Sequence, residues 1–104
     1  MHNVAVQIVR FVDSGFPGWV ECELVDAAGR RHILKDKVPT FTLEDLDADS
    51  KYPTPGFVAC EVVERYRNEK GQELVCVSTV KPYGIESTDG VSEFTVSASL
   101  VSSD

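Results

Sequence analysis

The chain has 104 residues, which is enough for one domain with its own core, and we treat residues 1–104 as a single domain. Hydrophobic residues make up 42% of the chain, a fraction that excludes an intrinsically disordered protein. The formal net charge of −7 disfavours binding to nucleic-acid phosphates or anionic membranes and favours a basic partner.

The first 40 residues predict three strands. Residues 4–12 are rich in β-branched side chains, and a turn cluster at 13–18 separates them from a strand at 19–25. In that second strand Val20, Cys22 and Leu24 alternate with acidic residues, so one face is expected to be buried. A short connection at 26–29 leads into a returning strand at 31–38.

The second half of the chain predicts a helical turn and three more strands. The helical turn is expected at 42–46 with Thr42 as its N-cap, followed by a loop at 47–56. Strands are expected at 57–67, 73–80 and 91–100, and the residues after Val101 are expected to fray. Six or seven strands at this spacing predict a small antiparallel barrel, with a two-sheet sandwich as the alternative.

Residues 17–25 resemble residues 55–63, at an offset of 38 positions. Six of the nine pairs are identical, and both segments read Pro-Gly-aromatic-Val-x-Cys-Glu before continuing into a hairpin with glycine at its tip. Convergence on a common strand pattern is one explanation, but the matching Cys-Glu pairs favour an internal hairpin repeat. A repeat of this kind bears on the architecture and leaves the activity open.

An acidic segment and two aromatic residues are the candidate partner-binding site. Carboxylates repeat along 44–49, but Ser50 and Gly56 stand where an EF-hand loop needs glycine and glutamate, so no metal site is predicted. The aromatic residues at the start of each repeat either cap the barrel ends or form an exposed patch. The candidate set is Glu44, Asp45, Asp47, Asp49, Tyr52, Trp19 and Phe57.

Basic residues near the two predicted hairpin tips suggest an alternative site for nucleic acid or a small ligand. Such a site would combine cations with stacking aromatic rings, although the acidic total opposes it. The residues concerned are Arg30, Arg31, Lys35, Arg65 and Arg67.

The sequence contains no motif for catalysis or cofactor binding. Neither His2 nor His32 stands at a spacing that defines a nucleophile and its base, and the three cysteines form no disulfide framework or zinc motif. The first residues lack the features of a secretory signal, which predicts a cytoplasmic location. We therefore expect a soluble, non-catalytic interaction module with an unidentified, basic protein partner, in one form an inhibitor or immunity-type protein.

Overall fold

The computed structural model describes residues 1–13, 15 and 17–103, and it confirms an all-β fold. The strands are β1 (His2–Asp13), β2 (Trp19–Val25), β3 (Arg31–Lys37), β4 (Thr54–Arg67), β5 (Glu73–Ser78), β6 (Glu93–Ser97) and β7 (Val101–Ser103). Two short helical segments accompany them, α1 (Val38–Phe41) and a 3-10 turn (Ala98–Leu100).

The strands form one antiparallel sheet in the order β3-β2-β1-β4-β5-β6, and β7 pairs with the beginning of β1. The sheet curls into a half-barrel whose outer strands approach one another. The Thr88 amide donates to the Ile33 carbonyl at 2.8 Å, and the Ala27 amide donates to the Thr95 carbonyl at 2.8 Å. These two bonds partly close the edge of β3 against the segment around β6, which fits the predicted barrel better than a sandwich.

The concave face of the half-barrel holds the core. The predicted inward stripe of β2 is confirmed, because Val20, Cys22 and Leu24 are fully buried. The equivalent stripe of β4 is buried at Val58 and Cys60. Strand β1 lies between them and supplies the alternating residues of the same layer, namely Val4, Val6 and Ile8.

The helical turn lies at Val38–Phe41, so the prediction of a helical turn at 42–46 is wrong. Pro39 occupies the first turn of α1, where its fixed φ and missing N–H are tolerated. Thr42 follows the helix as its C-cap, and its amide donates to the Val38 carbonyl at 3.2 Å. The prediction is wrong because Pro39 is as compatible with the end of a strand as with the first turn of a helix.

Other strand boundaries also differ from the prediction, among them those of β6, which covers only Glu93–Ser97 of the predicted strand 91–100 because a 3-10 turn follows it. Strand β4 begins at Thr54, so Gly56 pairs with Val6 inside a strand and is not part of a loop. The segment predicted to fray forms β7, and Val101 pairs with Val4. Parts of the predicted turn at 13–18, Ser14 and Phe16, lie outside the described residues, as does Asp104.

The two hairpins of the proposed repeat have tips of the same construction. In the β2–β3 tip the Asp26 amide donates to the Arg30 carbonyl at 2.9 Å, and Gly29 adopts a φ of 83°. In the β4–β5 tip the corresponding donor is Asn68, and Gly71 adopts a φ of 78°. The tips are 42 residues apart, whereas the repeated segments are offset by 38, because β4 is longer and carries a register shift between Val62 and Glu64.

Candidate functional site

A groove of about 630 Å³ separates the end of β1 from α1 and the segment that follows it. Its apolar surface comes from Val38, which is buried, and from Phe11 and Leu46, which pack against the core. The remaining described lining residues are Gly15, Pro17, Pro39, Thr42, Leu43, Glu44, Asp45 and Asp47. We call this set of residues the acidic groove.

Three carboxylates and one exposed leucine form the rim of the acidic groove. Glu44, Asp45 and Asp47 are exposed, and within the described part of the chain no Lys or Arg nitrogen lies within 4.0 Å of them. Leu43 is 93% exposed, the largest exposed fraction of any large hydrophobic side chain that the structure describes. The rim therefore combines uncompensated negative charge with an apolar side chain that has no partner in the core.

Hydrogen bonds within the loop fix the shape of the rim. The Thr42 hydroxyl accepts from the Glu44 amide at 3.1 Å, which turns the chain immediately after α1. The Asp47 carboxylate accepts from the Asp49 amide at 2.9 Å, and the Tyr52 hydroxyl donates to the Asp47 carbonyl at 2.7 Å. Burial raises the pKa of Tyr52, which fits a phenol that acts as a donor here.

The structure thus assigns different positions to the five predicted residues of the acidic segment. Glu44, Asp45 and Asp47 line the groove. Tyr52 instead packs against the core, and its hydroxyl holds the loop through the hydrogen bond to the Asp47 carbonyl. Asp49 is exposed and is not among the lining residues. Among the described residues, no group of three or more His, Cys, Asp or Glu side chains is arranged to hold a metal ion.

Trp19 and Phe57 are both half-buried and are not brought together. Trp19 pairs with Asp13 at one end of β1, and Phe57 pairs with Ala5 near the other end. At ~3.3 Å per residue the two positions on β1 are roughly 26 Å apart. They therefore do not form a common patch, and neither lines the acidic groove.

The predicted basic residues are spread over separate hairpins and mostly face carboxylates. Arg67 lies 2.8 Å from Glu73, while Arg30 and Arg31 lie 3.8 Å and 3.7 Å from Asp89 and Glu23. The remaining two, Lys35 and Arg65, are exposed. The pairs of Arg67 and Arg31 are ordinary cross-strand compensation on the outside of a sheet, and the pair of Arg30 links the β2–β3 tip to the segment before β6.

A contact between a buried histidine, His32, and the partly buried Asp26 was not predicted from the sequence. His32 is 6% exposed, its Nε2 lies 2.8 Å from Asp26 Oδ2, and its ring meets Phe94 edge-on at 4.9 Å. The other ring nitrogen, Nδ1, is buried without a hydrogen-bond partner. Since no hydroxyl or thiol is bonded to the ring, the pair is not part of a nucleophilic triad within the described residues. The signal that could have identified this pair is the position of Asp26 and His32, six residues apart on either side of a tight hairpin.

Comparison of the chain with protein-family models, with curated protein sequences and with solved structures finds no match. No helix among the described residues is long and apolar enough to cross a bilayer. The geometry of the acidic groove is therefore the basis on which a function can be proposed.

Proposed function

We propose that the chain is a non-catalytic protein-interaction module that binds a basic protein partner in the acidic groove. The observation that carries this proposal is the combination of Leu43, 93% exposed, with three carboxylates that have no counter-charge in the described chain. Exposed apolar side chains surrounded by charge are typical of docking surfaces. The partner would insert an apolar side chain between Phe11 and Leu46 and place its cations over the rim.

Long-range electrostatics support the same class of partner. The net charge of −7 attracts a basic protein before contact, and such steering raises association rates strongly at low salt. Inhibitor or immunity-type proteins that neutralise a basic toxin or nuclease use this principle, and we propose that role as the specific form. The alternative, a nucleic-acid or small-ligand barrel using the arginines, gains no support from their scattered, carboxylate-facing positions.

The experiment titrates ¹⁵N-labelled protein with two synthetic peptides that differ only in charge. One peptide contains lysines on either side of a Leu-Phe pair, and the other has glutamates in place of the lysines. We expect the lysine peptide to shift the amide signals of residues 42–47, and the glutamate peptide to leave them unchanged. Signals that respond equally to both peptides, or that respond only elsewhere on the sheet, would contradict the proposal.

A matched pair of double variants separates the groove from the net charge. Glu44→Lys with Asp45→Lys changes the rim, whereas Glu69→Lys with Glu86→Lys makes the same charge change at exposed positions outside it. We expect the rim variant to weaken binding of the lysine peptide about tenfold and the control to weaken it about twofold. Equal weakening would show that charge alone is responsible.

A further inference from the structure

Two β-bulges in β1 turn the Phe11 side chain towards the acidic groove. In its register with β2, β1 carries one extra residue on each side of the Arg10–Phe11 pair, namely Val9 and Val12. Strict alternation from the buried Ile8 would place Phe11 on the outer face of the sheet, and the extra residue at Val9 reverses this. Bulges that redirect one side chain are frequent beside binding and active sites.

The contacts between β1 and β2 show the result of this reversal. Phe11 pairs with Val20, which is fully buried, and packs against the core. Arg10 faces the other side, where its guanidinium donates two hydrogen bonds of 2.9 and 3.0 Å to the Glu21 carboxylate. Because this bidentate pair stabilises the register after the bulge, it helps to keep Phe11 in the wall of the groove.

Gly18 contacts both walls of the acidic groove, which are formed by Phe11 on β1 and by Val38 on α1. A Cβ at Gly18 would lie 2.7 Å from Cζ and 2.8 Å from Cε1 of Phe11, so the ring rests directly against the glycine. The Gly18 carbonyl accepts from the Val38 amide at 3.0 Å, which ties α1 to the same residue.

A side chain at Gly18 would narrow the groove. Gly18 is buried and is not itself among the described lining residues, so it lies behind the ring as seen from the groove. The atoms that a Cβ would meet are at the outer end of the Phe11 side chain, which moves more easily than backbone. The ring must therefore swing away from Gly18 and into the space of the groove.

We infer that the acidic groove selects its partner by the size of one apolar side chain, and that Phe11 and Gly18 set this size. Because this selection rests on the proposed function, it specifies the partner further, as a basic segment that carries a large anchor such as phenylalanine or leucine. The ring position against Gly18 leaves about 630 Å³ for that anchor, and a small side chain fills little of it. Charge at the rim attracts basic segments of any sequence, whereas the apolar space distinguishes among them.

The first measurement needs no partner. In the wild-type chain, the Gly18 α-proton on the side of the Phe11 ring should have a chemical shift outside the usual glycine range, and Phe11→Leu should return it to that range. Gly18→Ala should move the ring towards Leu46 and strengthen the nuclear Overhauser effects between the two side chains. Gly29→Ala is the matched control, because its φ of 83° is close to the 85° of Gly18 and its Cβ meets no atom within 4 Å. It should leave the ring in place.

The second measurement compares the lysine peptide, with its Leu-Phe pair, with a peptide that has Ala-Ala between the same lysines. We expect the wild-type chain to bind the Leu-Phe peptide about tenfold more tightly. Gly18→Ala should reduce this preference to about twofold, because the displaced ring occupies the space of the anchor. Gly29→Ala should keep the preference. Adding Phe11→Leu to Gly18→Ala should restore it, because the shorter side chain leaves that space free.

Two further checks separate selection from loss of structure. Circular dichroism of each variant shows whether it is folded, and general destabilisation would weaken the binding of both peptides alike. Phe11→Trp enlarges the wall without a change at the positive-φ position, and it should reduce the preference as Gly18→Ala does. If Gly18→Ala does not fold, Phe11→Trp decides alone.

Different results contradict the selection and the proposed function. A Leu-Phe preference that survives in folded Gly18→Ala and in Phe11→Trp, or a ring that does not move in Gly18→Ala, would overturn the selection and leave the proposed function intact. Equal weakening of both peptides would do the same. A wild-type chain that binds neither peptide would contradict the proposed function itself, and the selection would fall with it wherever the ring lies.

Discussion

Asp26 and Asn68 occupy the same position in the two hairpin tips and make the same pair of backbone contacts. In each case the side-chain Oδ1 accepts hydrogen bonds from the amides two and four residues further along, at 2.9–3.0 Å. The two residues differ in the other polar atom of the side chain, Oδ2 in Asp26 and Nδ2 in Asn68. Asp26 Oδ2 contacts the buried His32, whereas Asn68 Nδ2 donates to Gln72. The shared contact stabilises the turn, and the second one distinguishes the two hairpins.

The first prediction follows from the shared contact. Asn68→Asp preserves the accepting Oδ1 and should change the free energy of unfolding by less than about 0.5 kcal/mol. Asn68→Ala removes the acceptor from two amides and should cost about 1 kcal/mol. Urea denaturation monitored by circular dichroism gives both values. If the alanine variant is as stable as the aspartate variant, the two tip bonds contribute nothing to stability.

The second prediction concerns the pH dependence that Asp26 introduces. Burial alone would raise its pKa, but hydrogen bonds from His32 and from the Arg30 and Ala28 amides outweigh this and hold the pKa below its usual value. A carboxylate with a lowered folded pKa contributes stability above its unfolded value of about 3.9, and this is lost as the pH falls through the folded value.

Asp26→Asn should therefore be less stable than the wild type at neutral pH, and the difference should diminish below about pH 4. Denaturant titrations at several pH values measure this difference directly. Glu86→Gln, an exposed carboxyl outside the hairpin, is the control and should show no comparable trend. A difference that stays constant with pH would show that the Asp26 charge is not responsible.

The third prediction concerns the close approach of β4 to α1. A Cβ at Gly56 would lie 2.8 Å from the Phe41 carbonyl oxygen and 2.8 Å from the Ile8 side chain. Gly56→Ala must therefore displace α1 or β1, and we expect a loss of about 2 kcal/mol with shifted amide signals in the acidic groove. Gly71→Ala is a useful control, because its Cβ meets no atom within 4 Å and the variant bears only positive-φ strain. Equal losses without groove shifts would contradict the steric explanation.

Much of the sheet could be predicted because strand periodicity is a local property. The alternation in β2 identifies Val20, Cys22 and Leu24 as buried without any knowledge of their neighbours. The position of α1 and the existence of β7 depend on distant partners. Val38 is held by the Gly18 carbonyl, and Val101 pairs with Val4 at the other end of the chain. Such contacts leave no periodic signal in the sequence.

The sequence predicted the acidic residues of the candidate site but not its apolar residues. The run of carboxylates identified Glu44, Asp45 and Asp47 directly, since a dense acidic segment is visible in composition. Phe11 reads as an ordinary strand residue, and only the folded chain places it in the same groove. Leu43 was expected inside a helical turn, and the shift of α1 towards Val38 is what leaves it exposed.

The last prediction separates the three cysteines by their reactivity. Burial raises the pKa of Cys22 to about 12 and that of Cys60 to about 11, so neither thiol forms much thiolate near neutral pH. Cys76 is half-buried, and its pKa is raised by burial and by Glu93, whose Oε1 lies 3.7 Å from Sγ.

With a disulfide reagent at about pH 8, the native chain should expose one slowly reacting thiol and the urea-unfolded chain all three. Cys76→Ser should abolish the native reaction and leave two thiols after unfolding. Rapid labelling of Cys22 in the native chain would show that its strand opens far more often than a fully buried position allows.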